Sequence, residues 1–223
     1  MDAIQESLLR LNAKVGQLLP SLKGLSNEQL AVVLHTYERL IRPYFISQMA
    51  TVEDFCQSET ARAAAGENFR CEVYEDHRSM LRRFTAQIDY YLEDPAVKEA
   101  ILQTTGGGVR RQLLLPLREL IDCSDNALPG LWIMGGLETA SQVFIPWMET
   151  AADRLGMNDK EYLIKHGIAD IAHADEFARA IAAEAGFLGV ELVPTESVDS
   201  HESLGPTFRL LSHIFGSWAC YQA

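Results

Sequence analysis

The chain has no paired cysteines. Cys56, Cys71, Cys123 and Cys220 are scattered through 223 residues, and no two stand as Cys-x-x-Cys. Neither a zinc knuckle nor a redox dithiol is signalled, and isolated thiols of this kind read as the reduced cysteines of a cytoplasmic protein. Basic residues are also scarce. Lys and Arg number 19 against 31 Asp and Glu, a net charge of −12. Nucleic acid is therefore not an expected partner, because phosphate contacts need clustered cations, and nor is an anionic membrane surface. No apolar run approaches ~20 residues, so no membrane span is expected. The opening stretch, MDAIQESLLRLNAKVG, lacks the basic region and unbroken apolar segment of a signal peptide. Strand-type alternation is nearly missing, with residues 190–193 the one candidate. The motif Glu-x-x-His never occurs, which argues against a ferritin-like carboxylate bundle. No His is directly followed by Asp either, so the signature of a His-Asp phosphohydrolase is missing.

What is present is helical periodicity. Residues 3–16 place Ile4, Leu8, Leu11 and Val15 on one face. Ser26 caps a helix expected to run to about Met49, bent near Pro43. Another starts near Thr51 and reaches the alanines before Gly66. A third runs from Glu67 through His77 towards Tyr91, and Pro95 opens the next. The sequence TTGGG at 104–108 reads as a loop, followed by a helix over 110–121 that Pro116 interrupts. Residues 131–155 are apolar nearly all round, which implies a central buried helix. Asn158 or Asp159 caps a helix ending near Gly186, residues 187–205 are irregular, and Gly205-Pro206 opens a final helix. The expectation is one all-α domain over 1–223, a bundle of about seven or more helices.

The chemistry concentrates in KHGIADIAHADEFAR, residues 165–179. On a helix, steps of 4 and 7 return to nearly the same face. His166, Asp170 and His173 therefore form a stripe of two imidazoles and a carboxylate, a donor set suited to iron or another divalent metal. Glu138 falls in the middle of the apolar helix, where a carboxylate is costly unless paired or metal-bound; the alternative is a polar edge meeting an Arg. His77 is the next candidate, against the ordinary reading of a satisfied core or surface histidine. Glu67 lies 10 residues before it and shares a broad face, so Glu67 is preferred to Glu72. Glu72 lies 5 before it and points elsewhere unless the helix carries a π-type bulge there, a feature common at functional sites. His35 and Glu38 form a reserve pair, His201 reads as solvated, and Arg209 could hold a substrate carboxylate, although a surface ion pair is the plainer reading.

The spacing His166-x3-Asp170-x2-His173, with Glu138 upstream and a Glu/His pair ahead of that, resembles the heme-oxygenase-like diiron oxidases over residues 30–220. That resemblance implies a heme-oxygenase-like helical bundle holding two Fe(II) ions on three His and three carboxylates: His77, Glu138, His166, Asp170 and His173, with Glu67 or Glu72 completing the set. It further implies a non-heme oxidase or oxygenase using O2 as co-substrate and an external electron donor. The expected reaction activates an aliphatic C–H bond of a small substrate in natural-product biosynthesis. A free amino acid is the favoured substrate, with desaturation or C–N closure to an azetidine as the outcome. N-oxygenation and C–C cleavage of fatty acids or amino acids are the neighbouring activities. The rival classes are a heme-binding protein on the same fold, with His35 or another His as axial ligand, and a metal-free helical binding module. Homodimer formation stays open.

Overall fold

The computed structural model describes residues 2–222, with the backbone alone for Asp2. Ten α-helices succeed one another: α1 (Asp2–Leu18), α2 (Asn27–Ile41), α3 (Phe45–Phe55), α4 (Glu59–Tyr74), α5 (His77–Ala86), α6 (Pro95–Thr105), α7 (Gly107–Asp122), α8 (Leu128–Arg154), α9 (Glu161–Leu188) and α10 (Leu204–Gly216). Short 3-10 turns fill several of the gaps, and no strand occurs among the described residues. Residues 190–193 are irregular, with Val190 and Val193 exposed. The protein is an all-α bundle. No helix among the described residues is long and apolar enough to cross a membrane.

Local chemistry sets most helix starts. At the head of α2 the Ser26 hydroxyl accepts from Gln29 N–H while the Gln29 side chain accepts from Ser26 N–H, which satisfies two otherwise orphaned donors. Ser58 caps α4 through Ala61 N–H, and Asp94 caps α6 ahead of Pro95. The helix ends differ from the sequence reading in four places. The expected 26–49 helix is two helices, broken at Arg42–Tyr44, because Pro43 has no N–H to continue the ladder. The expected 51–66 helix is likewise divided, α3 ending at Phe55 and α4 starting after Ser58. The 67–91 helix breaks at Asp76, the one non-glycine residue with positive φ among those described (φ 57°). The 104–108 loop shrinks to Gly106 alone, and α7 continues through Pro116.

The centre of the bundle is α8 against α9. The two pack along much of their lengths, with α1 on the far side of α8 and α4 against α9. Gly135 and Gly136 permit this. A Cβ on Gly135 would lie 3.0 Å from the Phe177 Cβ, and one on Gly136 would lie 2.9 Å from Leu204 Cδ2. Neighbouring helices thus approach α8 from two sides at one level. Ile133, Met134, Phe177 and Ile181 fill the seam and are essentially excluded from solvent, each contributing on the order of 1.5–3 kcal/mol by burial.

Buried away from the site is His35 on α2, 1% exposed, with its Nε2 3.9 Å from the Asp89 carboxylate. Burial lowers its pKa from 6.5 to about 4, against the opposing pull of Asp89. The unfolded chain therefore takes up a proton below pH 6.5 that the folded chain refuses. The stability tied to His35 is whole above pH 6.5 and is lost as pH falls towards 4. The shift corresponds to about 3 kcal/mol. Between pH 6.5 and 4 the unfolding free energy of wild type, from denaturant melts, should fall relative to that of His35→Leu by about that amount, and parallel pH dependences would contradict the assignment.

Candidate metal centre

Helix α9 supplies half of the site. His166, Asp170 and His173 all face inward and are 9%, 2% and 7% exposed. Their Cα positions span seven residues, about 10 Å of helix axis, so one element serves two adjacent groups. The first consists of Glu72, His77 and His166, and the second of Glu138, Asp170 and His173. Within each group the ligand atoms lie within 4.8 Å of one another, and all six residues are buried. Glu72 comes from α4, His77 from α5 and Glu138 from α8.

Glu72 belongs to the site because of the break at Asp76. On an unbroken helix a five-residue step would turn Glu72 well away from His77. The left-handed Asp76 ends α4 and restarts the chain as α5, and the Glu72 carboxylate lies 2.8 Å from His77 Nδ1 and 3.4 Å from His166 Nε2. Glu67 is the correction. Its side chain is 59% exposed and pairs with Arg70 at 2.9 Å, on the solvent face of α4. Arg209 is a second correction: it lies on the exposed side of α10 and does not line the cleft described below.

The reserve residues also lie elsewhere. Glu38 pairs with Arg42 at 2.8 Å. His201 accepts the N–H groups of Ser203 and Leu204 and packs edge-on against Trp132. The His213 ring meets the Thr104 carbonyl at 2.8 Å.

Electrostatics separate the two groups. Burial would raise the Glu72 carboxyl, but His166 and His77 outweigh it and hold its pKa down to about 2. Burial would likewise lower both imidazoles, and Glu72 reverses this, so each is raised. The first group thus neutralises itself. The second has two acids against one base. Burial, then the charge of Glu138, pushes Asp170 well above the usual carboxylate range. His173 Nδ1 is 3.7 Å from Glu138 Oε2 and has no hydrogen-bond partner.

Supporting contacts orient the ligands. His166 Nδ1 is 2.9 Å from the Tyr162 carbonyl. A nitrogen facing a carbonyl carries the proton, which leaves the Nε2 lone pair for a metal. Asn68 donates to Glu138 Oε1 at 3.3 Å, and the Tyr162 ring stacks on His166 with centroids 4.0 Å apart.

The donor set passes a simple fit test for a divalent ion in each group. His173 Nδ1 in the second group is a buried nitrogen without a hydrogen-bond partner, and buried polar atoms are rarely left so; in the first, His77 turns Nδ1 to Glu72 and Nε2 towards Glu75, 3.6 Å away. Nitrogen and carboxylate oxygen together suit iron or manganese, and three protein ligands leave coordination positions open. Beside the groups opens a narrow cleft with a cavity volume of about 50 Å³. Glu72, Glu138, His166 and Asp170 form one wall; Ile41, Phe45, Leu81 and Phe144 form an apolar wall, with Arg42 and Arg78 also lining it. Asn68 and Tyr162 were within reach of sequence reasoning, each four residues before a ligand and so on its face. Arg42 and Arg78 carried no such signal.

No family model matches the chain, and no curated protein matches it.

Metal titration separates the groups. The expected uptake is two Fe(II) or Mn(II) per chain, with His173→Ala and Glu72→Ala each retaining one. Wild-type uptake of fewer than one ion per chain, at saturating metal and with native helical circular dichroism, would dismiss the centre.

Proposed function

We propose that this protein is a non-heme diiron oxidase of the heme-oxygenase-like kind, using O2 and an external electron donor to oxidise an aliphatic C–H bond of a small carboxylate-bearing substrate, most simply a free amino acid. The observation that carries the reading is the pair of buried three-residue groups sharing α9, with three His and three carboxylates between them. Iron bound there would supply the redox chemistry of O2 activation, which protein side chains lack.

The chain's own residues do the rest. Glu72, His77 and His166 hold one ion; Glu138, Asp170 and His173 hold the other. The Tyr162 carbonyl fixes the His166 tautomer, and Asn68 steadies Glu138. Ile41, Phe45, Leu81 and Phe144 keep water from the reacting carbon and hold an aliphatic chain beside the site. Arg42 is engaged by Glu38, so Arg78, next to His77 in sequence, is the guanidinium to receive a substrate carboxylate. Desaturation removes two hydrogens; with O2 reduced to two waters, the donor provides two electrons and the solvent two protons. Desaturation or closure to an azetidine on this basis would belong to natural-product biosynthesis. A cytoplasmic setting would keep both Fe(II) and the four unpaired thiols reduced.

The test is anaerobic Fe(II) loading followed by O2 with separate panels of amino acids and fatty acids. O2 uptake should rise with one class only, and the amino acids are expected. Asp170→Ala and His173→Ala should abolish that uptake with unchanged circular dichroism, and Arg78→Ala should raise KM at least about tenfold, the worth of a charge-assisted contact. Iron-loaded protein whose O2 uptake ignores every substrate would sink the proposal.

A further inference from the structure

Tyr37 on α2 and Tyr162 on α9 meet in the wall of the cleft, their hydroxyl oxygens 2.8 Å apart and their rings crossing at 62°. Both side chains are 4% exposed. Each hydroxyl has one proton to give, and the contact between them uses only one. Among the described residues neither has another hydrogen-bond partner. One O–H is therefore left over, and leaving it unmade in the interior costs on the order of 1–3 kcal/mol.

The surroundings narrow what can accept it. Glu72 is engaged by His77 and His166, and Glu138 by His173 and Asn68; neither tyrosine hydroxyl lies within hydrogen-bond distance of the Asp170 carboxylate. The Ser141 hydroxyl, also in the cleft wall, is already given to the Glu138 carbonyl at 2.6 Å. The pair is thus a neutral, buried donor in a lining that also holds acids, imidazoles, hydrocarbon and the guanidiniums of Arg42 and Arg78. The Tyr162 ring lies against His166, so the donor stands beside the first group.

We propose that the Tyr37–Tyr162 pair is a positioning element, whose unshared O–H donates to a carboxylate or carbonyl oxygen of a ligand seated in the cleft. The two hydroxyls act in series, the first donor strengthening the second. A spare O–H of this kind donates to an oxygen lone pair, which a carboxylate or carbonyl offers and an ammonium lacks. The inference rests on the cleft being the substrate site, as above, and is indifferent to which metal occupies the groups.

The experiment uses metal-free protein with hexanoate and hexylamine as length-matched probes. Tyrosine difference absorption and calorimetric Kd are read in wild type, Tyr37→Phe, Tyr162→Phe and the double variant. Hexanoate should give a tyrosine signal in wild type that vanishes in the double variant, with Kd weakened about tenfold and metal stoichiometry unchanged. Each single variant keeps one hydroxyl and should lose less, which serves if the double variant does not fold. Hexylamine should give no signal. Absence of saturable hexanoate binding, an equal signal from hexylamine, or an unchanged Kd in the double variant would overturn the proposal. Failure of the metal centre would show separately: protein that binds no ions yet gives the hexanoate signal retires the diiron reading and leaves the tyrosine pair standing.

Discussion

Three carboxylates and three imidazoles in an apolar interior are an electrostatic debt that the fold has to settle. Moving even one charged group out of water costs several kcal/mol unless a partner compensates. The first group compensates internally, since Glu72 is held low by the two imidazoles that it in turn raises. The second group cannot, because Glu138 and Asp170 face a single His173. Its resolution in the protein alone is to keep a proton on Asp170, the direction in which burial and Glu138 drive it. A cation would do the same with a stronger field, and it would give a partner to the orphaned His173 nitrogen as well.

The bundle is arranged to place this frustrated set on rigid elements. Five of the six side chains sit within helices α4, α8 and α9, and the sixth opens α5. Gly135 lets α9 approach α8 one turn from where Glu138 meets Asp170, and Gly136 admits Leu204 of α10 and Leu11 of α1 on another side. A larger residue at 135 would push against Phe177 and strain the α8–α9 contact that carries the second group. Packing and ligand geometry are therefore one constraint at the level of Gly135–Glu138.

The stripe was legible in the sequence because its three members share one uninterrupted helix, where spacing maps directly onto a face. Glu138 was legible because an acid amid apolar residues has few other uses. The choice between Glu67 and Glu72 was not, since it depends on a single left-handed residue. Periodicity assumes a continuous helix, and on that assumption Glu67 is the better partner for His77. Asp76 breaks the assumption, and Asp is among the few residues that tolerate such a conformation. His201 and His213 turn out to be engaged with backbone groups and His35 is buried 3.9 Å from Asp89, placements that spacing alone does not reveal. Arg209 failed for a related reason: an arginine's reach depends on tertiary packing that no local pattern encodes.

The two interruptions that matter most lie at the cleft. Ile41 and Arg42 precede the Pro43 break, and Phe45 and Ile46 follow it; Glu72 precedes the Asp76 break, and His77 and Arg78 follow it. A continuous helix shows only a strip of its surface to one neighbour, whereas a broken one can turn side chains from both halves towards the same space. Broken helices thus bring a guanidinium, an aliphatic wall and a ligand pair together from short stretches of chain. The −12 charge sharpens the point. In a molecule poor in cations, Arg42 and Arg78 both line a cleft bordered by five of the six buried ionisable groups. An anion in that cleft would meet a local attraction that the surface as a whole denies it, beside apolar side chains.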